Sequence, residues 1–272
     1  MFLLGSRGDI DMCAPVANYL PVFNNDKSRQ ITVAQIVRHS SGFPEDYAQD
    51  RGEYDAVEDA IEEIALAGPG SELQASSINY DVMLELIQAV SGKTISQFFS
   101  EELFSPLGMN NTIVDVGENP EVLEHLLPQT IHYENAEEMN VAWRPGDPPT
   151  LVMRWQSSSA FSNITDYAAF LSFWLGDGSF NGQQIIANLE QWIMATRSKE
   201  DSECVFTGLD EEPYDVAERA PRWLATVQGP TILAMPKYKL MGLLFTQYPW
   251  NNSNNEFWQK VFGLQSELNW QQ

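Results

Sequence analysis

The sequence predicts an α+β fold, and three observations carry that expectation. Helical patterns recur through the first 200 residues. Strand-like segments come late, at 222–228, 230–235 and 239–247, and a helical stretch at 256–264 follows them. Helices grouped first and strands grouped last describe α+β, because a parallel sheet would need alternating βα units. With 272 residues, 43% of them hydrophobic, the chain can bury a sizeable core. It reads as a single domain over 1–272, mainly helical over 1–200, with the late strands and last helix over 201–272.

Each element has its own warrant. Residues 31–39, ITVAQIVRH, form a short helix starting near Thr32, ended by Ser40-Ser41-Gly42 with Pro44 beyond. Carboxylates crowd 45–63, but Val57, Ala60, Ile61, Ile64 and Ala65 recur at helical spacing, so the acids occupy the opposite, solvated face. Gly68-Pro69-Gly70 is a turn. A strong helix over 79–91 presents Val82, Met83, Leu86, Ile87 and Val90, and Gly92 closes it. The next, about 94–104, gathers Ile95, Phe98, Phe99 and Leu103 and ends before Pro106. Proline-rich 115–150 reads as loop, 164–175 as helix, and 189–196 as a helix capped by Asn188.

Composition excludes several function classes. A formal charge of −23 argues against nucleic acid and anionic membrane surfaces, both of which need Lys and Arg. No apolar run reaches the ~18 residues of a membrane helix. Met1–Leu4 is too short for the apolar part of a signal peptide. Cys13 and Cys204 have no zinc spacing and pair only where the fold unites them. Three sequons begin at Asn110, Asn163 and Asn251 and carry meaning only in a secretory context, so the compartment stays open.

Several ordered segments together resemble one family. GDIDMCAPVANYLPVF (8–23) is similar to a G-x-L-x-L-D-D-P-V-x-x-Y-L-P segment, and ITVAQIVRHSSGFP (31–44) to I-T-I-x-x-L-L-x-H-T-S-G-L-P. Residues 69–112 carry V-S-G-K and P-L-G-M-x-x-T, and 157–186 resemble a G-G-L-x-S-T-x-x-D-x-A-R-F helix with its turn. In this order they resemble the serine β-lactamase and penicillin-binding-protein-like family, in its class C β-lactamase and esterase branch. The resemblance covers about 5–200 and, more faintly, 223–264. It implies a β-lactamase/transpeptidase-like fold: a helical region with a reduced antiparallel sheet.

It also implies a chemistry that can be checked residue by residue. The family acylates a serine activated by a lysine in S-x-x-K on a helix, one turn apart and so on one face. The six lysines, Lys27, Lys93, Lys199, Lys237, Lys239 and Lys260, follow Asn24, Val90, Thr196, Ala234, Pro236 and Phe257 at that spacing. The motif is absent. In the family it precedes the segment that here begins near Gly8, so Met1–Leu4 would match the tail of the nucleophile's helix. A second motif, Y-x-N, falls where this chain has Ala75 and Ser77. Ala75 has no proton to relay, and Tyr80 belongs to the following helix as a packed residue. The third motif, W-G-G in esterases, falls near Trp223, followed by Leu224 and Ala225.

Three histidines remain. His39, in RHSSGF, matches a structural position at a helix end; a pair with Ser40 or Ser41 is disfavoured, since adjacent residues seldom face each other. His125 and His132 lie among glutamates without compact ligand spacing. The expectation is therefore a serine-hydrolase-like protein without catalysis, no cofactor or metal, and a cleft for a small acyl or peptide ligand. The alternatives are an N-terminally incomplete hydrolase or esterase, and a binding or assembly module that pairs a strand with another chain.

Overall fold

The computed structural model describes residues 1–44, 57–70, 76, 78–116, 120–131, 140–148, 160–195, 222–225, 231–235 and 240–245. Helix α1, Phe2–Arg7, buries Leu3 and Leu4 and stops at Gly8. Residues 8–32 then wrap α2, Val33–Val37, through two single-turn 3-10 segments, Val16–Asn18 and Pro21–Phe23. Thr32, near which the helix was expected to start, caps α2. Its hydroxyl accepts from Gln35 N–H while the Gln35 side chain accepts from Thr32 N–H.

Helix α3, Val57–Ala67, buries Ala60, Ile61, Ile64 and Ala65 while Glu58, Asp59, Glu62 and Glu63 face water. Residues 45–56 lie outside the described residues. Helix α4, Ile78–Ser91, is the hub: α2, α3 and α5 all pack against it. Its buried Ile78, Val82 and Leu86 repeat at i, i+4, i+8, one stripe along one face.

Helix α5, Ile95–Phe99, begins with a second capping box, Thr94 with Gln97. It does not stop before Pro106. The chain continues through a π-helical turn, Ser100–Phe104, into a last helical turn α6, Ser105–Leu107, ended by Gly108. Proline lacks an N–H and its ring presses on the carbonyl four residues back; the wider π turn relieves both.

Region 115–150 holds more structure than loop. Strand β1, Ile113–Val114, pairs antiparallel with β4, Ala160–Phe161, and β2, Gln129–Ile131, with β3, Asn140–Trp143. Trp143 is 1% exposed and packs with Val116 in a small satellite core. Its indole N–H reaches the Asp147 and Pro148 carbonyls at 3.2 and 3.1 Å. Helix α7, Ile164–Trp174, is capped by Asn163, whose side chain accepts from Asp166 N–H at 2.9 Å. The buried Asp166 carboxylate accepts from Asn111 N–H and from the Thr112 hydroxyl, fixing the 108–112 turn onto α7.

A hairpin, β5 Ser179–Phe180 with β6 Gln183–Gln184, precedes α8, Leu189–Ala195. Asn188 adopts φ 54°, and its carbonyl accepts from Gln191 and Trp192. The late strands form one antiparallel sheet in the order β7, Arg222–Ala225; β8, Thr231–Met235; β9, Leu240–Leu244. Among the described residues β7 and β9 are its edges, and α7 packs beside β9, with Tyr167 edge-on to Phe245. No described helix is long and apolar enough to cross a membrane. The 256–264 segment lies outside the described residues.

Candidate functional site

The site begins where α2 ends. His39 takes a left-handed backbone, φ 55°, and turns the chain into Ser40-Ser41-Gly42. Gly42 has φ +80°, and a Cβ there would stand 3.0 Å from Pro69 Cβ. Both facts require glycine, because this turn crosses the 68–70 turn closely enough for Gly70 N–H to donate to Gly42 O at 2.7 Å. The crossing holds the α2 exit against the chain leading to α4.

On the α4 side, the Ser76 carbonyl is the anchor. It accepts from Asn79 N–H at 3.2 Å, from Asn79 Nδ2 at 3.2 Å and from His39 Nδ1 at 3.1 Å. A carbonyl only accepts, so Nδ1 carries the proton, and in the neutral ring Nε2 keeps its lone pair. Asn79 Nδ2 also lies 3.4 Å from Nδ1, a meeting of two donors and not a bond. The Ser41 hydroxyl donates to Asn79 Oδ1 at 2.7 Å, and the Ser76 hydroxyl to Pro44 O at 2.7 Å. Ser41, Ser76 and Asn79 are buried.

Burial pushes the His39 pKa below its ordinary 6.5, partly offset by the Ser76 bond. The ring stays neutral at pH 7. Tyr80 is not a packed helix residue: it is 50% exposed, and its ring meets His39 edge-on with centroids 4.6 Å apart. Ser40 Oγ is buried without a hydrogen-bond partner among the described residues. Ser41 has its hydroxyl on Asn79. No described serine hydroxyl is hydrogen-bonded to His39, so the disfavoured Ser–His pair is not formed.

The other sequence candidates are dispersed. Ala75 and Ser77 lie outside the described residues, on either side of Ser76. Trp223 stands in β7 opposite Leu233. His125 is exposed on the 3-10 segment Pro120–His125, and His132 lies outside the described residues. No group of three His, Cys, Asp or Glu able to hold a metal occurs among the described residues. Lys93 is held by Glu101 at 2.9 Å and Glu102 at 2.6 Å, and Glu102 also takes Arg7 of α1 at 2.8 Å. These ion pairs raise the Lys93 pKa and lower that of Glu102.

Sequence reasoning overlooked Asn79, the most connected side chain of the site. Its partner Ser41 lies 38 residues away, a contact that no short-range pattern in the sequence announces.

The fold is that of the β-lactamase/transpeptidase-like proteins. The sequence profile of the Beta-lactamase family matches residues 3–216, most of the chain, and the chain belongs to that family. An Escherichia coli protein provisionally named a D-alanyl-D-alanine carboxypeptidase is 24% identical over 235 residues, covering 73% of this chain and 52% of the relative. The Mycobacterium tuberculosis esterase/beta-lactamase LipL is 34% identical over 139 residues, covering 47% of this chain and 32% of LipL. The octameric penicillin-binding protein homologue from Pyrococcus abyssi aligns with a TM-score of 0.64 at 17% identity, over 96% of this chain and 62% of that one. The chain thus spans about half the length of the carboxypeptidase relative, or less of LipL.

Proposed function

We propose that this chain is a β-lactamase-family frame that binds a small acyl or peptide ligand without turning it over. One observation carries the reading: the sequence given holds no S-x-x-K, the family's serine one helical turn before its lysine base. The corner agrees with it. His39, Ser41, Ser76 and Asn79 hydrogen-bond to one another or to nearby carbonyls, an arrangement that holds α2 to α4 and puts neither the Ser41 nor the Ser76 hydroxyl on a base. Ala75 cannot relay a proton and Ser77 replaces an amide with a hydroxyl. Loss of a nucleophilic serine alone lowers turnover by roughly a million-fold. The ligand class is supported by relatives named for a D-alanyl-D-alanine carboxypeptidase and an esterase/β-lactamase.

The test is intact-mass spectrometry after incubation with a penicillin and with a p-nitrophenyl ester. No acyl adduct is expected on any serine, while a peptide ending in D-Ala-D-Ala raises the melting temperature. A stable stoichiometric adduct overturns the loss of catalysis; a melting temperature unmoved by peptide or ester overturns binding.

The length comparison favours a second reading. Relatives matched over 52% or less of their own length have room for a further segment. In a longer polypeptide that supplied S-x-x-K, the same frame would serve a hydrolase of esters or amides. Sequencing the transcript across the codon for Met1 distinguishes the two: an in-frame S-x-x-K upstream establishes the second and removes the first.

A further inference from the structure

The hairpin before α8 has a fastened base and a free tip. At the base, Gly178 O accepts from Ile185 N–H at 2.9 Å and from Ile186 N–H at 3.0 Å. The Gln184 side-chain amide donates to Asp177 O at 3.1 Å and to Ile186 O at 2.8 Å. At the tip, Phe180 faces Gln183 across a two-residue connection, Asn181-Gly182. Asn181 has φ 49° and Gly182 φ 79°. Positive φ at both central positions is the type I′ turn, the two-residue link that matches the twist of a hairpin and that Asn-Gly adopts readily.

The same two residues are a reactive pair. A backbone amide nitrogen can attack the side-chain amide of the asparagine before it, and a side chain on the attacking residue hinders the approach. The sequence holds one Asn-Gly pair, this one. Both residues are exposed, and a Cβ built on Gly182 would meet nothing within 4 Å. Neither the Asn181 side chain nor the Gly182 N–H has a hydrogen-bond partner among the described residues. Each strand is only two residues long, so the tip opens locally at small cost.

We propose that Asn181 is a site of spontaneous covalent modification, closing on Gly182 as a succinimide and reopening as aspartate and isoaspartate. The Gly182 nitrogen bonds to Asn181 Cγ, the Cγ–Nδ2 bond breaks, and ammonia leaves with the proton given up by the Gly182 N–H. One water then opens the ring. Attack on the side-chain carbonyl leaves an aspartate; attack on the backbone carbonyl leaves an isoaspartate, with the chain running through Cγ. In sum, one asparagine and one water become one acidic residue and one ammonia. Either product adds a negative charge to a chain already at −23. Isoaspartate also lengthens the backbone by one atom, which a two-residue turn absorbs only by losing the Phe180–Gln183 register. The altered tip is then a substrate for enzymes that methylate isoaspartyl carboxylates with S-adenosylmethionine. The inference is independent of any acylation by this chain.

The test holds the folded protein in mildly alkaline buffer at physiological temperature and follows it by peptide mapping over successive weeks. Asn181 should gain one dalton before any other asparagine, and the aged protein should accept methyl groups from S-adenosylmethionine through an isoaspartyl methyltransferase. In Asn181→Gln the ring would need a sixth atom, and in Gly182→Ala a methyl group guards the nitrogen. Both variants should accept severalfold less methyl. Asn181→Gln leaves Gly182 in place and keeps the test decisive if Gly182→Ala, strained at positive φ, fails to fold. An Asn181 still intact after other asparagines have converted overturns the proposal. So does conversion to aspartate without isoaspartate, which is direct hydrolysis, and so does undiminished methyl acceptance in Asn181→Gln.

Discussion

The two ends of α4 are held in opposite ways. At its N-terminal end, neutral groups mostly shielded from water close on each other: His39, Ser41, Ser76 and Asn79, with the Gly42–Gly70 crossing beside them. Just past its C-terminal end, charged groups near the surface form a chain from Arg7 through Glu102 to Lys93 and Glu101. Hydrogen bonds away from water are costly to lose, because the abandoned partner stays unsatisfied. Ion pairs in water are cheap to lose, because solvent and salt replace them. The first end is built for fixed geometry; the second ties α1 to the π-helical turn after α5 with slack.

The largest effect should come from Asn79. Asn79→Ala leaves the Ser41 hydroxyl without its acceptor and takes one donor from the Ser76 carbonyl. A cost of about 2–4 kcal/mol is expected, read as a lower midpoint in urea at unchanged m-value. Ser41→Ala added to Asn79→Ala should cost less than it does alone, since its partner is already gone. Strict additivity would show that the two side chains do not act as a unit.

Next comes acid. The folded His39 pKa lies below 6.5, so the unfolded chain binds the proton more readily. His39 therefore withdraws stability as pH falls through 6.5 toward its folded pKa and contributes no pH dependence above that window. Glu102 is the opposite kind of group with the same acid sensitivity: its folded pKa is depressed below 4.5 by Lys93 and then Arg7. Its contribution is present above 4.5 and disappears as pH drops through the folded value. The two ends of α4 should therefore loosen in two separate pH windows. His39→Gln should remove the upper one and leave the lower. An unaltered pH profile in that variant would break the contrast.

How much of this was legible in the sequence depended on how local the cause was. The helix start near Thr32, the 57–65 stripe and the 79–91 stripe rest on contacts within a few residues, and each produced the expected element. The π turn before Pro106 escaped notice because the ring's strain is relieved by geometry that composition does not reveal. The β2–β3 hairpin was hidden among prolines, its order depending on Trp143 meeting Val116. At the site, His39 stands past the end of α2, where the sequence put it, but its partner Ser76 is 37 residues away and Tyr80 meets it only across the helix pair. The missing S-x-x-K needed no fold at all.

The smallest effect should come from the ionic end, and salt is the way to see it. Glu102 accepts from Arg7 at 2.8 Å and Lys93 at 2.6 Å, with its side chain 20% exposed. Glu102→Gln keeps the shape and removes the charge that joins the two cations. Because the pairs are reached by solvent, Tm should fall by only about 2 °C at low ionic strength. In 1 M salt, where the Debye length is about 3 Å, the difference from the natural sequence should vanish. Asn79→Ala, measured beside it, should keep its full effect at both ionic strengths, because no net charge is involved. Were Glu102→Gln as damaging as Asn79→Ala, or insensitive to salt, the tie from α1 to the π-helical turn would be as rigid as the opposite end. Helix α1 would then be clamped and not tethered.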